Sequence, residues 1–415
     1  VKRLIRYPSK DRQDRPFMVI WEVTQACDLV CQHCRASAQP LHHKDQLTFE
    51  QGRDLIDQVK AFGAPAPLLV FTGGDPFKRE DLFDLVAYAK SVGLMPGVSP
   101  SATPLVTRDR LARLGEAGAK VISLSLDASN AADHDRFRGV EGSYALTLQA
   151  WREAQEVGLK VQINSTVNRH NLHDLANIAE IISDRKVMTW SLFFLVPTGR
   201  ATAMDSLTPA ECEAVMHFLL DASPYLNIKT TEGHHFKRIV LQRAIAQANE
   251  YDLTQDLDPL YHQLSGQFQE FARKRNLQAR NNLRRTPMHI GSANGFVFVN
   301  HLGDVYPSGF LPMAAGNVKR QTLPEIYKTS DLFCWIRDLE RLKGRCGSCE
   351  FRSVCGGSRS RAFAMLGDPM AEDPFCNYQP GSFPFQKELA LALEQAKKLE
   401  HRRPTPDRAL MPTPG

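Results

Sequence analysis

Three cysteines stand close together near the start of the 415-residue chain, in the stretch CDLVCQHC from Cys27 to Cys34. The spacing Cys-x3-Cys-x2-Cys gathers three thiols on one short loop. That is one ligand fewer than a closed site takes. Structural zinc takes four tetrahedral ligands, and a four-iron cluster normally takes one thiolate on each iron. His33, His42 or His43 could complete a zinc set, although His33 lies between two of the thiols. A four-iron cluster on three thiolates instead keeps one iron open for another molecule. A second group lies far along the chain: Cys346, Cys349 and Cys355 in CGSCEFRSVC, and Cys376 in DPFCNYQP. Four thiols suffice to close one cluster, or one zinc site. The remaining two of the nine cysteines, Cys212 and Cys334, stand in helical patterns and are expected as core thiols.

These groups need a scaffold, and the chain has the composition for one. Apolar residues make up 43% and charged residues 23%, so a chain of this length buries a sizeable core. No apolar run reaches the eighteen or so residues of a membrane span. The opening VKRLIRYPSK has no signal-peptide apolar core. A disulfide framework is therefore not expected, and the reading is a cytoplasmic protein whose clustered thiols bind metal. The net charge of +5 suits an anionic small molecule and is no nucleic-acid signature. The basic run Arg273 to Arg285 reads as a solvated helix face.

From Phe17 to about Leu226, short β-rich runs alternate with amphipathic helical segments. The strands expected are FMVIWEV, LLVFT, LMPGVS, KVISLSL, LKVQINSTV and MTWSLFFLV. Continuous apolar strands alternating with helices predict a parallel sheet covered by helices. Six such units make a partial (β/α)6 barrel, with a doubly wound open sheet as the alternative. Both place chemistry at the C-terminal ends of the strands. The residues there are TQACDLVCQHC, GGDP, SPSATP, DASN, NRHN and PTGRA, which would converge on one mouth. The expected organisation is an N-terminal arm (1–16), a core (17–226), a helical bridging region (227–295), a cysteine-bearing domain (296–385) that opens on a hairpin turning near Gly303, and a helix with a disordered tail (386–415).

Cys27, Cys31 and Cys34, just after the first strand, match the motif of radical S-adenosylmethionine (SAM) enzymes, which the chain resembles over roughly residues 17 to 380. The resemblance implies a [4Fe-4S] cluster whose open iron binds SAM, and reductive cleavage of SAM to a 5′-deoxyadenosyl radical. TGGDP resembles the family's Gly-Gly-Glu-Pro loop, which implies SAM contacts from Gly73, Gly74 and Asp75, with Asp where Glu is commoner. SLSLD implies contacts from Ser125 and Asp127; Asn164, which ends an apolar run on the fifth strand, and Arg200 in VPTGRA, which resembles the family's sixth-strand Gly-Arg element, add two more. Cys346, Cys349, Cys355 and Cys376 resemble the SPASM and twitch extensions, which implies one auxiliary [4Fe-4S] cluster. The full seven-cysteine SPASM pattern is not met. Ser308 sits where an upstream ligand often lies, and Arg359 where a further cysteine would follow Cys355.

Several stretches, among them CRASA, IKTTEGHHFKR and CGGSRSRAFAMLGD, resemble the tetrapyrrole-modifying branch of that family. Peptide-maturing relatives share several of them. The expected substrate is a small anion, such as a tetrapyrrole acting through its propionates, or else a ribosomal peptide. Arg238 and the Arg284–Arg285 pair are candidates to hold carboxylates. Glu232, His234 and His235 are candidate acid–base or iron-ligating groups. About sixteen residues precede the first strand, so a leader-peptide recognition module is not expected there. An electron donor such as flavodoxin or ferredoxin is implied, and neither nucleic acid nor membrane. The alternative of another class is a non-catalytic module with two zinc sites.

Overall fold

The structure is a computed structural model that describes residues 5–6, 12–280, 286–287 and 290–401. Its centre is a ten-stranded sheet. Seven strands follow one another in sequence and in space: β1 (Met18–Glu22), β2 (Leu68–Thr72), β3 (Met95–Val98), β4 (Val121–Ser125), β5 (Lys160–Val167), β6 (Thr189–Phe194) and β7 (Ile228–Thr231). Every neighbouring pair among them is parallel. A doubly wound sheet reverses its strand order at a switch point. Here β1 to β7 run without reversal, which is the winding of a barrel left open.

The region 227–295, read from sequence as helical, opens on a strand, since Ile228–Thr231 extends the sheet by one. Beyond it, β8 (Phe296–Val299) returns to lie parallel beside β1. It then turns through Gly303, in the left-handed region, into antiparallel β9 (Asp304–Tyr306), with β10 (Gly316–Asn317) outside that. The hairpin expected there is present, and it is built onto the same sheet.

Side chains alternate across each strand. On one face Trp21, Phe71, Ile122, Leu124, Ile163, Trp190 and Leu192 are fully buried under the helices. Those helices are α1 (Phe49–Lys60), α2 (Leu82–Ser91), α3 (Arg108–Glu116), α4 (Ala131–Arg138), α5 (Ser143–Glu156), α6 (Leu175–Asp184) and α7 (Pro209–Ala222). Local sequence starts them. Thr48 with Gln51, and Thr208 with Glu211, form capping boxes at α1 and α7, and Pro209 occupies the first turn of α7. The other face, with Ile20, Val70, Ser123, Ser125, Asn164 and Phe298, lines a cavity of ≈ 1270 Å³.

After β7 come α8 (His235–Ala248) and α9 (Pro259–Lys274). Leu241 and Ile245 of α8 pack with Phe351, Val354, Phe383 and Leu389 in a second core, and Cys349 and Cys355 sit against it. The basic run leaves the helix after Lys274, and Arg284 and Arg285 lie outside the described residues, as do residues 402–415 of the expected tail. Cys212 is a core thiol as expected, and burial pushes it up to about 12. Cys334 is not: the helix Asp331–Arg337 buries Phe333 and Ile336 and turns Cys334 to the outside.

Candidate active site

The thiol loop leaves the C-terminal end of β1 and is clamped by two neighbours. Gly74 N–H donates to Thr24 O at 2.9 Å and Asp75 N–H to Ala26 O at 2.6 Å. A Cβ on Gly73 would stand 2.5 Å from Thr24 O, and one on Gly74 2.4 Å from Ala26 O. Only glycine permits that approach. From the far side, Arg200 donates through its backbone to Cys34 O at 3.0 Å, through Nε to Cys31 O at 2.9 Å and through Nη1 to Ala38 O at 3.2 Å. Gly199, at φ +65°, leaves room for this, since a Cβ there would meet Cys34 O at 2.3 Å. So held, Cys27, Cys31 and Cys34 all line the cavity. Gly74→Ala should therefore displace the loop backbone. The expected result is a folded protein that loses the iron bound at this loop, read by iron analysis and circular dichroism.

The residues expected around SAM divide into two sets. Gly73, Gly74, Ser125 and Asn164 line the cavity with the thiols. Asp75, Asp127 and Arg200 do not; each side chain is spent on the scaffold. Asp75 is fully buried and accepts from Thr103 Oγ1 at 2.9 Å, Phe77 N at 3.1 Å and Ser101 N at 3.4 Å, and burial raises its pKa to about 6. Asp127 accepts from Thr166 N at 2.7 Å and from Arg138 Nε at 2.7 Å. Burial would raise its pKa, but Arg138, His33, His134 and the Thr166 N–H together outweigh that and hold the carboxyl below its ordinary range.

Arg138 is a charged cavity side chain that sequence reasoning missed. It lines the cavity, is almost wholly buried, and carries Nη1 at 3.8 Å from Cys31 Sγ. The available signal was Arg138–Gly139. Gly139 takes the left-handed cap of α4, so the last helical side chain before it is set just across from the thiol loop.

The four C-terminal cysteines line one small pocket together with His235, Arg238 and Asp373. Asp373 N–H at 3.3 Å and Arg359 Nη2 at 3.8 Å point donors at Cys346 Sγ. Burial works to raise Cys376, but His235 and Arg238 overcome it and bring the thiol down to about 7. The two adjacent histidines serve different places. His234 lines the large cavity, 4.0 Å from the Glu232 carboxylate, whereas His235 faces the cysteines and pairs with Asp373 at 3.0 Å. Glu232 also lines the large cavity. It accepts hydrogen bonds from Ser308, Ser358 and Ser360. Ser308 thus serves Glu232, and Arg359 donates to Pro369 O and Ala371 O. Arg238 does not reach the large cavity floor as a free cation. It is committed to Glu213, at 2.8 Å, and to Gln242, at 2.6 Å.

Among the described residues, no three His, Cys, Asp or Glu groups could hold a single metal ion. A four-iron cluster places its thiolates on separate irons, so its ligands need not converge on one point.

Three thiols on a glycine-clamped loop, at the mouth of an open parallel barrel and beside a cavity with polar residues, form a site of the kind a four-iron cluster with one open iron would use. Residues 21–182 match the model of the radical SAM superfamily. An AdoMet-dependent heme synthase from Nitratidesulfovibrio vulgaris is 35% identical over 88% of this chain and 92% of its own. The chain belongs to the radical SAM superfamily, with SAM and a [4Fe-4S] cluster as its cofactors. At 26% identity it is also similar to a PqqA peptide cyclase from Rhodopseudomonas palustris, over 88% of each chain. The fold matches Streptococcus suis SuiB bound to its precursor peptide SuiA, with a TM-score of 0.63 at 16% identity, over 88% of this chain and 76% of that one. The reading as a non-catalytic zinc module is set aside. Among the described residues no helix is long and apolar enough to cross a membrane.

Proposed function

We propose that this enzyme acts on an iron tetrapyrrole, abstracting hydrogen from a propionate side chain. The observation that carries this is the cavity: ≈ 1270 Å³ exceeds the roughly 300–1000 Å³ of an ordinary small-molecule pocket. It has room for SAM and a second large ligand, and its charged lining is mostly cationic. The similarity to a heme synthase over nearly the whole chain supports the same reading.

Cys27, Cys31 and Cys34 would hold the cluster. When bound, cluster and SAM supply a 5′-deoxyadenosyl radical that takes a hydrogen atom from the substrate. The chain's own residues do the rest. With SAM bound, Gly73 and Gly74 would offer backbone to its amino group, Arg138 would pair with its carboxylate, and Ser125 and Asn164 would bind its ribose. The Arg200 and Gly74 clamps fix the loop. Apolar Phe193, Phe296, Phe298 and Phe310 line the cavity and keep water from the reacting carbon. Glu232 and His234 are placed to hold or accept a proton on the substrate. Cys346, Cys349, Cys355 and Cys376 would carry one auxiliary [4Fe-4S] cluster that passes an electron, and a small flavodoxin or ferredoxin in the cytoplasm would supply the reducing electron.

The test is an anaerobic reaction of the reconstituted enzyme with SAM, a strong reductant and iron-coproporphyrin III. The expected products are 5′-deoxyadenosine and a tetrapyrrole of lower mass. 5′-Deoxyadenosine formed beside an unchanged porphyrin would sink the reading. A second reading, modification of a ribosomal peptide, is favoured by the similarity to the peptide cyclase. It predicts a mass change in a co-encoded peptide and none in the porphyrin.

A further inference from the structure

Six charged residues line the large cavity: Arg35, Lys120, Arg138, Lys229, Lys237 and Glu232. Most are already engaged. Arg35 is paired with Glu22 and Arg138 with Asp127, while Lys237 donates to Ile290 O. Lys120 sits on the outer rim, exposed. Lys229 differs from all of these. No carboxylate of the described residues lies within ion-pair distance of it, and its contact is the face of Phe296, 5.8 Å from the ring centre. Burial pushes its pKa down, and no neighbouring charge acts on it either way. An ammonium in an apolar cavity without a counter-ion is costly unless a ligand supplies one.

Its position is set by the sheet. Lys229 pairs across the strands with Ser191, which pairs with Asn164, which pairs with Ser125. It therefore points to the same face as the two polar strand-end residues in that row. Three strand spacings separate it from Ser125, roughly 14 Å along the curved sheet. Phe296, beneath its ammonium, pairs with Met18 at the start of β1, whereas the thiol loop follows the end of β1. Four residues of β1, about 13 Å of strand, lie between that level and the thiol loop. The cation thus stands at the end of the cavity away from the thiols.

We propose that Lys229 anchors a carboxylate of the substrate, at a subsite separate from the one that holds SAM. The ligand class is a rigid polycarboxylate long enough to place one acid on Lys229 and a reacting carbon below the thiol loop. This rests on the cavity being the substrate site. It deepens the proposed function by naming what fixes the substrate's orientation.

The test measures binding to the reconstituted holoenzyme of three probes: iron-coproporphyrin III, its tetramethyl ester, and a short oligoglutamate peptide. Lys229→Met should weaken a carboxylate probe by roughly tenfold to a hundredfold, the worth of one charge-assisted hydrogen bond. The ester should be unaffected, and Lys229→Arg should restore most of the loss, which a merely misfolded variant would not show. Unchanged affinity of K229M for every carboxylate probe overturns the proposal, as does a wild-type cavity that binds none of them. Porphyrin binding that ignores Lys229 leaves the tetrapyrrole reading standing and removes this one. Lys229-dependent binding of the peptide alone, without the porphyrin, keeps a carboxylate anchor at Lys229 but overturns both the rigid ligand class and the tetrapyrrole reading.

Discussion

Cys31→Ala should abolish SAM cleavage and remove about half of the enzyme's iron, about four of eight atoms if each cysteine group holds one four-iron cluster. Cys31 lies midway along the loop, and its backbone carbonyl is already held by Arg200 Nε. An alanine there therefore leaves the loop in place and removes one thiolate of three. With two thiolates the cluster loses a second iron ligand, and the site that should present a single open iron no longer does. The C-terminal group loses nothing. Its four thiols line their own pocket, and none of the residues in that pocket belongs to the thiol loop. Iron analysis together with 5′-deoxyadenosine assay under strong reductant decides the point. Loss of all iron in C31A would show that the two groups do not load independently. Retained SAM cleavage would show that these three thiols are not the cluster's ligands.

The thiols were the most legible part of the site because their chemistry is local. Spacing on one loop guarantees that three sulfurs are near each other whatever the rest of the chain does. The parallel winding was legible for a similar reason: each apolar strand run ends in a turn, and turns and runs repeat in order. What stayed hidden depends on side-chain direction. His234 and His235 are sequence neighbours, but α8 begins between them. Successive helical side chains point about 100° apart, so one faces the large cavity and the other the C-terminal thiols. Asp75 and Asp127 occupy the expected positions, yet their carboxylates turn inward to satisfy buried donors. Arg238 had the charge to hold a substrate acid, but Glu213, twenty-five residues earlier, claims it. Cys334 shows the converse error, since a seven-residue helix buries only one narrow stripe.

Arg138 pairs with Asp127 and also lines the cavity, and the two contributions can be separated. Its guanidinium and the Asp127 carboxylate form an ion pair almost entirely removed from water. Removing one member of such a pair strands the other charge in the interior, at a cost of roughly 3–5 kcal/mol. Arg138→Met keeps most of the side-chain volume, so the loss is electrostatic and should show as a lower midpoint in urea unfolding. The double variant Arg138→Met with Asp127→Asn removes both charges. Asparagine keeps an oxygen to accept from Thr166 N–H, which Asp127 does now at 2.7 Å. Most of the lost stability should return, because no charge is then stranded in the interior and the amide oxygen still accepts from Thr166 N–H. SAM affinity should not return, because the cation that faces the cavity 3.8 Å from Cys31 Sγ is still missing. A double variant that recovers SAM binding along with stability would mean that Arg138 matters only as a counter-ion. R138M with unaltered stability would mean that the pair is solvated in the working enzyme. Stability restored without SAM binding is the one outcome that makes Arg138 both the partner that keeps Asp127 charged inside the fold and the cation offered to the cofactor's carboxylate.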